Sequence, residues 1–235
     1  MTKYLDPIFI RATNIPDAWF QCVYNIIDFG RKYEVQYGSF VGEKRIEFDW
    51  ATILIEHPYS EPYDSMLPKI PAHLNIPDPV EAGYVEQYLP YLLSSVKKEN
   101  EEYTYGERIC KVKDINSDEY YNQIEYWINI LKETPNTNQA ILQVGQPTDS
   151  KLSDPPCLRH IDIKIIKNEK LIFYPYFRSW DLWGGFPANL AGIAVLQKYM
   201  ADEIGIEAGP IVAASKGLHI YGYAEELAKL RTYKK

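Results

Sequence analysis

The run Asp154-Pro155-Pro156-Cys157-Leu158-Arg159-His160-Ile161-Asp162-Ile163-Lys164-Ile165-Ile166 leads, through Asn168 and Leu171 to Phe177, into Arg178-Ser179-Trp180-Asp181-Leu182-Trp183-Gly184-Gly185-Phe186-Pro187-Ala188-Asn189. Ile161, Ile163 and Ile165 alternate with His160, Asp162 and Lys164, the period of two of a half-buried strand. A turn at Asn168 and a second strand from Leu171 to Phe177 follow. A long helix is predicted from about Ala188 to Ile204, where Gly205 stops it.

The same stretch carries the chemistry. Two proline rings stiffen the backbone ahead of Cys157 and restrain the residues before them, so the thiol can be aimed. An arginine, Arg178, follows 21 residues later. Near the thiol it would favour the thiolate, which a free cysteine of pKa ~8.5 barely populates at neutral pH. Asp181 adds a carboxylate and Asn189 an amide. The alternative for Cys157 is a buried structural thiol, the commoner fate of a lone cysteine. Cys22 and Cys110 lack any such context and read as structural.

These residues resemble the thymidylate synthase family of pyrimidine nucleotide C5-methyltransferases and hydroxymethylases, most closely its short archaeal branch. Pro-Pro-Cys, then Arg-Ser-x-Asp-x-x-x-Gly-x-Pro-x-Asn, then His219-Ile220-Tyr221 follow the family's order. Tyr103-Thr104-Tyr105-Gly106 is similar to its Val-Tyr-Gly segment, and Asn122-Gln123-Ile124 to its Asp-Gln-Ile helix start. The match runs from about Tyr103 to Leu230.

The resemblance implies that Cys157 is the nucleophile that adds to C6 of uracil, after which C5 attacks a one-carbon donor. It implies that Arg178 and Ser179 hold the substrate phosphate, a planar fork suiting phosphate bidentately. Arg178 would also lower the thiol's pKa. Asn189 would complement O4 and N3–H of uracil and stabilise the developing O4 charge. Relatives acting on cytosine carry aspartate there. A helix N-cap role is compatible with this. His219 and Tyr221, two apart on a strand, would bind the sugar 3′-hydroxyl; a pair of core residues is the alternative. Asp181 resembles the residue that contacts the donor's pterin ring, and Gly185 would allow close backbone approach to the base.

Three departures stand out. Leu158 follows the nucleophile where most of the family has histidine. Thr137-Asn138-Gln139 occupies the place of two arginines that normally reach the partner subunit's phosphate, so, if another subunit still contributes, a residue such as Arg108, Arg159 or Arg11 must have replaced that pair. The chain ends soon after Tyr221, without the long tail of bacterial enzymes. For the family's acid–base glutamate, Glu56 at a strand end is the first candidate and Glu61 the second.

Elsewhere, helices are predicted over Asp17–Phe29, Glu81–Lys97 (with Pro90 as a kink or break), Asp118–Lys132 (capped by Ser117) and Ala224–Leu230. Strands are predicted over Tyr33–Val41, Trp50–Glu56, Ala140–Val144, Ile211–Ala214 and Leu218–Tyr221. Between His57 and Pro79 lie six prolines (Pro58, Pro62, Pro68, Pro71, Pro77 and Pro79), too dense for regular structure, so an ordered loop or a lid is expected. The 20 tyrosines read mainly as core and interface area.

The bulk properties agree with one domain spanning residues 1–235. Hydrophobic and charged fractions of 46% and 24% are ordinary for a globular protein. No apolar run approaches the ~20 residues of a membrane helix, and Met1-Thr2-Lys3-Tyr4-Leu5-Asp6-Pro7 has no leader-like apolar core. Three cysteines form no disulfide framework or metal pair, so a cytoplasmic protein with no metal is expected. A net charge of −7 argues against general nucleic-acid binding, while leaving room for one nucleotide in an arginine-bearing cleft. The expectation is therefore an α/β, thymidylate synthase-like fold with a large mixed sheet flanked by helices, forming a homodimer. The activity implied is conversion of dUMP to dTMP with 5,10-methylenetetrahydrofolate or a related tetrahydropterin. A 5-hydroxymethylase and a non-catalytic nucleotide-binding relative are the alternatives.

Overall fold

The computed structural model describes residues 5–38 and 40–234. Met1-Thr2-Lys3-Tyr4, Lys235 and Ser39 of the predicted Tyr33–Val41 strand lie outside the described residues. The chain opens with β1 (Pro7–Ala12), which the periodicity did not announce, and α1 (Ile15–Phe29). Asn14 caps α1, its side chain accepting the Asp17 N–H at 2.9 Å, so the helix starts ahead of the predicted Asp17.

β2 (Arg31–Glu34) and β3 (Lys44–Glu47) pair antiparallel, followed by β4 (Trp50–Ile55). The predicted strand Tyr33–Val41 is thereby corrected. Pairing ends at Glu34, and the chain loops out until the Val35 N–H meets the Glu43 carbonyl at 2.9 Å. Gly38 and Gly42, at φ of 93° and 90°, take a conformation no regular strand uses. The proline-rich stretch is an ordered loop with two short 3₁₀ turns, Tyr63–Met66 and Ala72–Leu74, anchored by buried Met66 and Leu67.

Next come α2 (Tyr84–Leu93), α3 (Tyr105–Cys110), β5 (Val112–Lys113), β6 (Tyr120–Tyr121), α4 (Gln123–Glu133) and β7 (Ile141–Gln143). α2 is shorter than predicted. Left-handed Gly83 precedes it, and it continues only three residues past Pro90. The predicted helix Asp118–Lys132 is corrected too. Its first residues include β6, which pairs with β5, and Asn122, not Ser117, caps α4 by accepting the Ile124 N–H at 2.9 Å. Tyr120 and Tyr121 favour a strand, which moves the helix start to the next capping side chain.

β8 (Leu158–Ile166), β9 (Lys170–Phe177), β10 (Trp180–Asp181), α5 (Gly185–Ile204), β11 (Glu207–Ser215), β12 (Leu218–Tyr221) and α6 (Gly222–Thr232) complete the chain. The larger sheet has the order β1-β4-β11-β9-β8-β7, with β1–β4 and β11–β9 parallel and the other pairs antiparallel. α1, α4 and α5 pack on one side of it, over Ile10, Ile53, Phe173, Ile161 and Ile163. The other side carries Phe9, Trp50 and Tyr176, with Phe9 63% exposed. The smaller sheet has the order β10-β12-β3-β2. The chain leaves the large sheet at Phe177 and enters the small one at Trp180. Arg178 and Ser179 therefore sit in the seam between the two sheets.

Candidate active site

A cavity of about 470 Å³ opens at that seam. Its lining brings together Cys157, Arg178, Ser179, Asp181, His219 and Tyr221 from segments up to 64 residues apart. Cys157 stands just before β8, and Leu158 pairs with Phe177 in register, which puts the thiol beside the start of the Arg178 segment. Leu158 is fully buried and its N–H points to the Tyr105 hydroxyl at 3.3 Å, so the residue after the thiol belongs to the core.

Arg178 braces the proline pair. Its Nε donates to the Pro156 carbonyl at 3.2 Å, and Nη2 donates to the Pro155 carbonyl and to Asp154. It also pulls the thiol's pKa down, but burial outweighs it. Burial first, with Asp154 adding to it, leaves Cys157 above the ordinary thiol range despite Arg178 and Arg159. Arg178 thus acts on the thiol in the expected direction, while the net shift is upward because burial is the larger effect. Cys22, fully buried and pushed up by that burial, and Cys110, whose Sγ donates to the Leu93 carbonyl at 3.3 Å, have no such surroundings.

Asp181 closes the start of α5: its carboxylate accepts the N–H groups of Trp183, Gly184 and Gly185 at 3.0–3.1 Å. Asn189 therefore lies inside α5 rather than at its N-cap. Its Oδ1 accepts the Trp180 indole N–H at 3.0 Å, and its Nδ2 donates to the Tyr88 hydroxyl at 2.9 Å. Gly185 lies against both, an added Cβ falling 3.4 Å from Asp181 Cβ and 3.8 Å from Asn189 Oδ1.

His219 is buried, with Nδ1 on the Gly217 carbonyl at 2.8 Å and Nε2 without a hydrogen-bond partner. The Gly217 carbonyl is acceptor only, so Nδ1 carries the proton and Nε2 is an acceptor. Burial, countered by that carbonyl and by Asp181, lowers its pKa. Its ring meets Tyr221 edge-on at 4.6 Å.

Sequence reasoning missed Arg45. In the β3–β12 ladder Arg45 stands opposite Tyr221 and Glu47 opposite His219, so all four side chains share one face. Arg45 lines the cavity, paired with Glu47 at 2.9 Å. A basic residue on a strand carries no such signal until its pairing partner is known. Four tyrosines were also missed as neighbours of the thiol: Tyr88, Tyr91, Tyr103 and Tyr105 all feel its charge. Tyr88 and Tyr91 also line a second cleft of about 540 Å³ with Tyr84 and Gln87.

Other expected residues lie elsewhere. Glu56 lines a separate cavity with His57 and Lys198 and pairs with Arg11 at 2.7 Å. Glu61 is exposed and accepts from the Tyr59 hydroxyl. Arg108 and Arg159 converge on buried Asp149 at 2.7 and 3.0 Å. Asn138 and Gln139 are exposed in a turn. Among the described residues no helix is long and apolar enough to cross a membrane, and no group of His, Cys, Asp and Glu could hold a metal ion.

The comparisons agree with this layout. A family model described as thymidylate synthase matches residues 84–234. A Methanosarcina mazei protein named "Putative thymidylate synthase" is 34% identical, covering 91% of this chain and 89% of its own. A protein of the same name from Methanothermobacter thermautotrophicus is 29% identical over 94% of this chain and 98% of its own. Thermostable thymidylate synthase A of Bacillus subtilis shares the fold, with a TM-score of 0.70 at 17% identity over 95% of this chain and 85% of that one.

Proposed function

The chain belongs to the thymidylate synthase family, and from that premise we propose that it methylates dUMP to dTMP with a methylene-tetrahydropterin as co-substrate. The observation that carries this reading is the shared lining of one cavity by Cys157, Arg178, Asp181, His219 and Tyr221. Its volume, about 470 Å³, lies within the usual range of ligand pockets, ~300–1,000 Å³.

In this reading the Cys157 thiolate adds to C6 of the uracil, and the electron pair moves through C5 onto O4. The Asn189 amide supports that charge. C5 then bonds the pterin's one-carbon unit and gives up its own proton to a general base; the pterin is expelled and returns a hydride to the resulting exocyclic methylene, ending in its dihydro form. Cys157 leaves as C6 is restored. Burial raises the Cys157 pKa and Arg178 opposes it most strongly, so Arg178 is the group that favours the thiolate. A bound phosphate would draw the Arg178 fork from the Pro155 and Pro156 carbonyls, with Ser179 beside it. Arg45 supplies a second cation from the same subunit, where the family's usual arginine pair is absent. The unpaired Nε2 of His219 can accept the sugar 3′-hydroxyl, with Tyr221 beside it. Asp181 fits the pterin side: three backbone amides occupy its carboxylate, which has about four acceptor sites, so one remains.

A homodimer joined through the Phe9, Trp50 and Tyr176 face of the large sheet completes the reading, because aromatic side chains stand on that face beside the polar residues of β8, with Phe9 63% exposed. The protein would work in the cytoplasm.

The test is incubation with dUMP and methylene-tetrahydrofolate, with the product identified by mass. A 5-methyl product supports the reading, a 5-hydroxymethyl product replaces it with the hydroxymethylase, and unreacted dUMP bound without turnover replaces it with a binding protein.

A further inference from the structure

We infer that Trp180, with Tyr88 holding the amide in place, decides which pyrimidine this site accepts, by locking the Asn189 amide in one of its two orientations. This rests on the function proposed above and deepens it. A primary amide has an acceptor end and a donor end, and a half-turn exchanges them. Uracil offers N3–H as donor and O4 as acceptor. Cytosine offers the reverse, N3 as acceptor and the 4-amino group as donor. A freely turning asparagine therefore suits either base, and its mere presence does not discriminate.

The neighbours remove that freedom. An indole N–H can only donate, and Trp180 Nε1 lies 3.0 Å from Asn189 Oδ1. Turned over, the amide would set two donors against each other. At its other end, Nδ2 donates to the Tyr88 hydroxyl at 2.9 Å; a phenol can donate or accept, so Tyr88 holds the amide in place while Trp180 sets its direction. One lone pair on Oδ1 and one hydrogen on Nδ2 remain for a base. They match N3–H and O4 of uracil and oppose both groups of cytosine.

Both locking residues are themselves held. Trp180 is 2% exposed, stacks on Phe177 at 3.9 Å with 6° between the rings, and packs on Phe186 at 4.6 Å. Tyr88 lies against Gly192, where an added Cβ would come within 2.8 Å of its ring, so only glycine leaves it this place. Burial pushes the Tyr88 phenol far up, which keeps it neutral. Trp180 and Tyr88 are positioning residues, since they act through Asn189.

The experiment measures dissociation constants and kcat/KM for dUMP and dCMP in the parent, Trp180→Phe and Tyr88→Phe, with thermal melts alongside. Trp180→Phe keeps an aromatic ring and removes the N–H. The dUMP-over-dCMP preference should fall at least about tenfold, partly through tighter dCMP binding. Tyr88→Phe should move the ratio the same way by less, and it carries the test if Trp180→Phe does not fold. A purely structural role would weaken both nucleotides by the same factor, and that result, or an unchanged ratio in both variants, overturns the lock. A parent that binds neither nucleotide overturns the proposed function and this inference with it. A parent that prefers dUMP while the variants keep its ratio overturns the lock alone.

Discussion

Arg178 donates its backbone N–H to the carbonyl oxygen of Cys157 at 2.9 Å, while its guanidinium reaches back to the carbonyl of Pro156 at 3.2 Å. The residue that holds the nucleophile's loop is thus the one proposed to hold the phosphate. If Arg178 holds the phosphate as proposed, binding of substrate and release of the loop would be coupled through one side chain.

Arg178→Ala should therefore weaken dUMP binding and push the Cys157 thiol further up, since the guanidinium is the largest influence pulling it down. In the parent, iodoacetamide alkylation followed by peptide mass should titrate above the ~8.5 of a free thiol. In Arg178→Ala the midpoint should rise further. Arg178→Lys should restore little binding, because a point charge lacks the fork. An unchanged midpoint and unchanged affinity in Arg178→Ala would remove the double role.

Cys157 should form a covalent adduct with 5-fluoro-dUMP in the presence of the donor, seen as a mass increase of the intact protein. Cys157→Ala should show none. An adduct that persists in that variant, or maps to Cys22 or Cys110, would move the nucleophile elsewhere.

Arg45→Ala should weaken dUMP binding about tenfold or more, the scale of a charge-assisted hydrogen bond of ~1.5–3 kcal/mol. Deoxyuridine, which lacks the phosphate, should lose much less. Calorimetric titration of both ligands separates the cases. Equal losses would mean that Arg45 acts only through its Glu47 and Tyr221 neighbours.

Asp149 joins Arg108 and Arg159, all largely buried, and removing a partner from such a set typically costs about 3–5 kcal/mol. Burial would raise its carboxyl, but the Gln146 amide and the two arginines outweigh it and hold it below the usual range. The sign follows from linkage: a lowered folded pKa gives stability that is present above the unfolded value of ~3.9 and is lost as pH falls through the folded one. Urea midpoints should show Asp149→Asn less stable at pH 7, with a shallower decline in acid than the parent. Parallel acid profiles would exclude Asp149 as a source of the acid sensitivity.

Much of the frame was legible in the residues. Alternation of isoleucine with polar residues gave β8, and the left-handed stop at Gly205 gave the end of α5. Boundaries slipped where two signals competed: Asn122 outbid Ser117 as a cap, and paired glycines cut the Tyr33–Val41 strand short. Of the cavity lining, Arg178, Ser179 and Asp181 were legible because they follow one another along the chain. Arg45 was not, because its place depends on β3 pairing with β12, a partner more than 170 residues away.

The sequence by itself determined the chemistry available: a stiffened thiol, a fork-shaped cation, a carboxylate and an amide, in the order of one family. Local φ restraint, side-chain pKa class and hydrophobic period are properties of short segments, and short segments suffice to read them. Tertiary structure alone decided how those groups are tuned. The burial of Cys157 that overrides its arginine, the orientation of the Asn189 amide between Trp180 and Tyr88, and the placing of Glu56 beside Arg11 all come from atoms distant in the chain. Desolvation and hydrogen-bond direction depend on what surrounds a group in space, and that is set only when the two sheets and α5 have packed together.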